Sequence, residues 1–224
     1  MIKTVFFDLD NTLLDFAAAE RAALTQTLQR LGIAATSDVL TLYSEINEYH
    51  WKQLEKGLLT REEVKVQRYR VLFEKLGVRH DPAAATAFYE ETLHHQAALL
   101  PGAKALLEAL YGKYRLFVMS NGSTDVQISR MQLSGIDRFF EKVFISQQIG
   151  YNKPDVRFFA ACFEQLAPFE KESAVLVGDS ESSDIIGGKN AGIHTVRFAA
   201  KGTESAADAV ADCLEKLPKI LEQL

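Results

Sequence analysis

Asp8 and Asp10 stand two residues apart at the end of the apolar run TVFFD. Acids that close repel one another, and burial disfavours the charged form of each. Keeping both where a buried segment ends points to chemistry or to a metal. Other apolar runs deliver comparable groups: Ser120, Asn121 and Gly122 end YRLFVMS, Lys153 follows KVFIS, and Asp179 and Asp184 lie in GDSESSD. If these ends converge, four carboxylates meet one cation and a small hydroxyl. Two like charges about 4 Å apart repel by roughly 4 kcal/mol at an effective dielectric near 20. The set therefore demands a divalent cation, neutralisation of some members, or both. All-oxygen ligation with room for water suits Mg2+ and suits neither zinc nor copper.

Each group then acquires an expected role. Asp8, rigid at a strand end, is placed to attack phosphorus as a carboxylate nucleophile and form an acyl-phosphate. Asp10 would protonate the leaving alcohol and, once deprotonated, activate the water that cleaves the intermediate. Asp179 would hold Mg2+, with Asp184 supporting it directly or through water. Ser120 and backbone N–H groups around Asn121 would meet the phosphate oxygens. Lys153 would neutralise charge shared by phosphate and Asp8. Pro154 is expected to keep Lys153 extended and to open the next helix at its first position.

The elements that must position these residues follow from patterning. Apolar runs at 4–8, 114–120, 142–146, 174–179 and 194–198 read as strands, and TDVQISRMQL, PDVRFFAACFEQL and SSDIIGGKNAG between them read as helices. Such alternation predicts a doubly wound parallel sheet of Rossmann-like α/β type, whose ligands bind beyond the carboxyl ends of the strands. Residues 16–96 carry no strand pattern. Helical patterns at 16–31, about 38–56, about 60–76 and about 82–96 are punctuated by Gly32, Gly57, Gly77 and the pair Asp81–Pro82. The expected organisation is an α/β core of 1–15 and 97–224, interrupted by an α-helical cap domain of 16–96. Asp15, at the entry to the insertion, reads as an N-cap or hinge residue. Tyr43, Asn47 and Trp51 fall at i, i+4 and i+8 on one helix face. That face would either line a pocket for a nucleobase or another flat leaving group, or pack against neighbouring helices. GGKNAG lacks the G-x-x-x-x-G-K-[ST] phosphate loop and reads as a helix ending on Gly192.

Composition bounds the partners. The 224 residues are 47% hydrophobic and 25% charged with a formal net charge of −5. That balance argues against a nucleic-acid polymer as partner, which would call for a basic surface. No segment approaches the roughly 20 apolar residues that span a bilayer, and the first apolar run is too short for a signal-peptide core. The two cysteines, Cys162 and Cys213, form no CxxC pair. A cytoplasmic, reduced protein acting on a small phosphorylated metabolite is the expectation; monomer and homodimer are both open.

DLDNT, SN, KP and GDSESSD, in this order, resemble the four motifs of the haloacid dehalogenase superfamily, and the resemblance covers nearly the whole chain. It implies the roles given above and adds the backbone carbonyl of Asp10 as a metal ligand. It also implies that the inserted helices close over substrate and exclude bulk water during transfer. Asp10 separates branches: a departing halide needs no proton, whereas an alkoxide does. The helical insertion and GDSESSDIIGGKNAG look most like the cytoplasmic nucleotidase branch, which removes the 5′-phosphate of nucleoside monophosphates. Phosphatases of sugar phosphates are the alternative. A phosphomutase, a 2-haloacid dehalogenase and a non-catalytic binding module rank below these.

Overall fold

A computed structural model describes residues 1–224. Six strands form one sheet: β1 (Thr4–Phe7), β2 (Arg115–Ser120), β3 (Lys142–Ile145), β4 (Ala174–Gly178), β5 (His194–Phe198) and β6 (Ala209–Ala211). Every pairing is parallel, in the order β3-β2-β1-β4-β5-β6. The chain winds outward from β1 in both directions, so the order reverses between β1 and β4. A crevice opens at such a switch point, beyond the carboxyl ends of the strands. The first five strands fall on the expected apolar runs. The sixth, three residues within the polar stretch SAADAVADC, has no run to announce it and exists through its pairing with β5.

The chain divides into two compact units, Met1–Asp15 with Ala97–Leu224, and Phe16–Gln96. The second unit holds four helices: α1 (Phe16–Arg30), α2 (Ser37–Glu55), α3 (Arg61–Leu76) and α4 (Pro82–Leu93). Their starts are locally encoded. Thr36 caps α2 by accepting from Val39 N, Thr60 and Glu63 form a reciprocal capping box on α3, and Asp81 caps α4 ahead of Pro82. The interior is built on Tyr43, Tyr69 and Tyr89, whose ring centroids lie 5.2–6.1 Å apart.

The first unit carries α5 (Ala103–Leu110), α6 (Thr124–Ser134), α7 (Ser146–Ile149), α8 (Val156–Glu164), α9 (Ile186–Ala191) and α10 (Leu217–Gln223). Alternate strand residues feed two cores. Val5, Phe7, Leu116, Val118, Val175 and Val177 pack with Leu106, Leu107, Met131 and Leu221. Phe6, Phe117, Met119 and Leu176 pack with Phe158, Phe159 and Cys162 on the other face. Coverage on both faces is why the strands read as unbroken apolar runs. The glycine pair of GGKNAG serves close packing. A Cβ at Gly188 would meet Thr195 Cγ2 at 2.7 Å and one at Gly187 would meet the Phe159 ring at 2.9 Å, while Gly192 ends the helix at φ 80°. Pro154 does not open α8. The helix starts at Val156, capped by Asp155, because the Asp155 side chain accepts from Arg157 N. No helix is long and apolar enough to cross a membrane.

Candidate active site

Asp8 follows β1 directly, and its N–H donates to Val177 O at 2.9 Å, which ties the end of β1 to β4. The chain then folds back sharply: Leu9 O accepts from Thr12, Leu13 and Leu14 N–H groups. Asn11 takes the left-handed conformation at φ 57° that this turn requires, a conformation Asn tolerates better than other side-chain-bearing residues. The turn sets Asp10 beside Asp8 and returns Leu14 and Asp15 to pair with Leu99 and Ala98.

Lys153 joins three of the strand ends. Its ammonium, 1% exposed, donates to Asp8 Oδ1 at 2.8 Å, Asp184 Oδ1 at 2.5 Å and Met119 O at 2.7 Å. All three protons are thus committed within the protein. Burial opposes its charge, but Asp184 and Asp8 outweigh burial and hold its pKa above the ordinary lysine value. Backbone N–H groups around Asn121 are expected to meet phosphate, and its side chain has a separate task. Its amide donates to Lys153 O and its carbonyl accepts from Lys153 N, both at 2.9 Å, so it fixes the backbone that carries the lysine. Ser120 Oγ accepts from Gly122 N at 3.1 Å and from Gln127 Nε2 at 2.9 Å. With both lone pairs used, the hydroxyl proton is what Ser120 has left to offer an incoming oxygen.

Asp8, Asp179 and Asp184 present carboxylate oxygens within 4.8 Å of one another. Burial pushes Asp8 well up; Lys153 opposes this, and Asp184, Asp179 and Asp10 add to it. Burial, with Asp184 next, pushes Asp179 up to about 7. Three acids against one lysine leave negative charge that the protein does not balance. An all-carboxylate donor set of this kind fits a hard divalent cation. Asp184 is held on both sides, by Lys153 on Oδ1 and by Ser180 N on Oδ2, and a Cβ at Gly178 would collide with its carboxyl group. It is therefore rigid, and Asp179 is the freer member of the pair.

The model of haloacid dehalogenase-like hydrolases matches residues 5–198. The chain belongs to that family. This haloacid dehalogenase-like hydrolase is 37% identical to pyrimidine 5′-nucleotidase PynA of Streptococcus pneumoniae, over 99% of this chain and 98% of that protein. It is 28% identical to pyrimidine 5′-nucleotidase YjjG of Escherichia coli, over 85% of this chain and 83% of the other. The HAD-hydrolase YfnB of Bacillus subtilis, solved bound to magnesium, superposes with a TM-score of 0.93 at 32% identity, over 98% of both chains.

Two residues of the hydrolase's site escape the motif reading. Arg130, wholly buried on α6, donates to Asp10 Oδ1 at 2.5 Å, and Gln127 Nε2 donates to Asp10 Oδ2 at 2.7 Å. The signal was present in TDVQISRMQL. Gln127 and Arg130 stand at i, i+3 beside Val126 and Met131, so two polar residues share the buried face of the helix that follows Ser120.

Of its two expected roles, the i, i+4, i+8 face of the inserted unit takes packing against neighbouring helices. Tyr43 is fully buried between Tyr69 and Tyr89, and thus offers no surface to a ligand. Asn47 is also buried. Its amide donates to Glu20 Oε1 at 2.6 Å, while its carbonyl accepts from Trp51 Nε1 at 3.1 Å and Arg68 Nη1 at 2.9 Å. Arg68 lies 4.6 Å over the Tyr89 ring. The face belongs to the unit's own interior, because a buried Glu20 and Arg68 require partners and Asn47 links them. Trp51, half-buried, completes the network.

Proposed function

We propose that this hydrolase removes the phosphate of nucleoside 5′-monophosphates through a phosphorylated Asp8, with Mg2+ as its metal. Asp10 is the observation that carries the reaction type. It stands beside Asp8, part-exposed and held on both oxygens, as the proton donor that an ester's leaving alkoxide needs and a halide does not. The likeness to pyrimidine 5′-nucleotidases over nearly the whole of each chain supports the substrate class.

The chemistry assigned to the chain's own residues balances. Lys153 holds Asp8 Oδ1, which leaves Oδ2 to attack phosphorus. The P–O bond to the nucleoside breaks as that oxygen takes a proton from Asp10. Asp10, now a carboxylate, takes a proton from water as the water oxygen attacks the phosphorus of the acyl-phosphate. Inorganic phosphate departs and Asp8 is restored. Ser120 donates its hydroxyl proton to a phosphate oxygen. Asp8 and Asp179, with the Asp10 carbonyl, would hold Mg2+ and Asp184 would support it; when bound, the ion neutralises charge on the phosphoryl oxygens.

Kinetics on a panel tests the substrate. Pyrimidine nucleoside monophosphates are expected to exceed triose and pentose phosphates in kcat/KM by about tenfold or more, some 1.4 kcal/mol of discrimination. The reverse ranking would replace the nucleotidase reading with a sugar-phosphate one.

Thermal unfolding tests the metal. A carboxyl whose folded pKa is raised binds its proton more tightly in the folded state, so ionising it destabilises the fold. The metal-free protein is therefore expected to lose stability as pH rises from near 4 towards Asp179's value of about 7. Mg2+ relieves that crowding only once the acids are ionised. Its effect on Tm should be small at pH 5 and several degrees at pH 8. An equal shift at both values, or none, would remove the carboxylate cluster as the binding site.

A further inference from the structure

We propose that Gln127 and Arg130 are positioning residues that register the acid–base carboxylate of Asp10 to the phosphate site through Ser120. The inference rests on the phosphomonoesterase reading above and adds a device to it. The hydrogen bonds form a closed circuit. Gln127 Nε2 has two protons; one reaches Asp10 Oδ2 at 2.7 Å and the other Ser120 Oγ at 2.9 Å. Gln127 Oε1 accepts from Arg130 Nη1 at 3.0 Å, and the same nitrogen donates to Asp10 Oδ1. Each donor on Gln127 and on that guanidinium nitrogen thus has its own acceptor.

The circuit acts on Asp10. It fixes the plane of the Asp10 carboxylate from both oxygens, and each oxygen keeps a lone pair for the proton it must carry. Ser120 Oγ anchors the Gln127 amide in return, and it keeps the Gly122 N–H as a donor of its own, so the serine stays held when Gln127 is replaced. The support is rigid. Gln127 and Arg130 are 1% and 0% exposed, and Gln127 packs over Gly122, where a Cβ would come within 2.5 Å of Gln127 Nε2. A buried arginine whose guanidinium reaches a part-exposed carboxylate at the site is held for more than packing. Proton transfer needs the donor within about 3 Å of its acceptor in the right direction.

The test compares leaving groups. Wild type, Gln127→Met, Arg130→Lys, Asp10→Asn and Gln127→Met/Asp10→Asn are assayed with p-nitrophenyl phosphate and with a nucleoside monophosphate. Nitrophenolate leaves without a proton, whereas the 5′-alkoxide needs one. Only steps up to phosphoryl transfer enter kcat/KM. Gln127→Met is expected to lower kcat/KM for the nucleotide about tenfold or more and to change it little for the aryl ester. With the base step also impaired, phosphoenzyme should accumulate from labelled p-nitrophenyl phosphate on acid quench. In the Asp10→Asn background Gln127→Met should cost little further, because its route of action is gone. Arg130→Lys, which keeps the charge but loses the fork, should show the same split. Orthovanadate affinity and Tm follow the fold independently of turnover. Equal losses on both substrates, or full additivity with Asp10→Asn, would reduce the pair to structural support and overturn the proposal. Wild type inert on both substrates would sink the underlying reading, and this one with it.

Discussion

Asp8→Asn is expected to lower kcat by about 10^4-fold or more while the protein stays folded. The amide is nearly isosteric and its oxygen can still accept from Lys153, but it is no nucleophile towards phosphorus. Stability should hold or rise in metal-free buffer, because the substitution removes one of three crowded acids and Asp184 remains as counter-charge to Lys153. Initial rates with p-nitrophenyl phosphate and a calorimetric scan check both halves. Activity above about 1% of wild type, beyond what deamidation back to Asp supplies, would hand the nucleophile's role to another residue.

Lys153→Met carries the largest expected effect on stability. It strips the cation from Asp8 and Asp184 and leaves Met119 O without its partner. Breaking a buried charge pair costs roughly 3–5 kcal/mol, since the surviving charge stays desolvated. At roughly 2–4 °C per kcal/mol for a chain of this size, Tm should fall by roughly 6–20 °C. Adding Asp184→Asn should recover part of the loss, because it removes the stranded charge. A double-mutant cycle by thermal and urea unfolding measures that coupling. Strict additivity would mean that the lysine and Asp184 do not act on one another as their geometry requires.

The parts of this site that could be read in advance are those the backbone itself delivers. Asp8, Ser120 and Asp179 each follow an apolar run, and a strand buried on both faces announces its end wherever such a run meets a polar residue. A parallel sheet then brings those ends together without further information. Gln127 and Arg130 were harder. A helix presents a face, and which loop that face meets depends on how α6 lies on the sheet. Asn121 shows the same limit on a smaller scale. Its place beside Ser120 could be seen, but not the cis Lys153–Pro154 segment that its amide clasps. In the inserted unit, helical spacing gave the shared face of Tyr43 and Asn47 correctly but could not say that Glu20 and Arg68 awaited it.

The pairing of Leu14 and Asp15 with Leu99 and Ala98 has a kinetic corollary. For β1 to join β2, Thr4 must find Arg115, a search whose entropic cost grows with the length of loose chain between them. Residues 16–96 are one uninterrupted run of helices, able to collapse on near neighbours in sequence before any strand has met its mate. Once they have done so, their two ends stand side by side and the long detour shrinks to a short bridge. Lengthening the tether at residue 15 or 97 with flexible glycine–serine should accordingly slow assembly of the sheet more than it weakens the finished one.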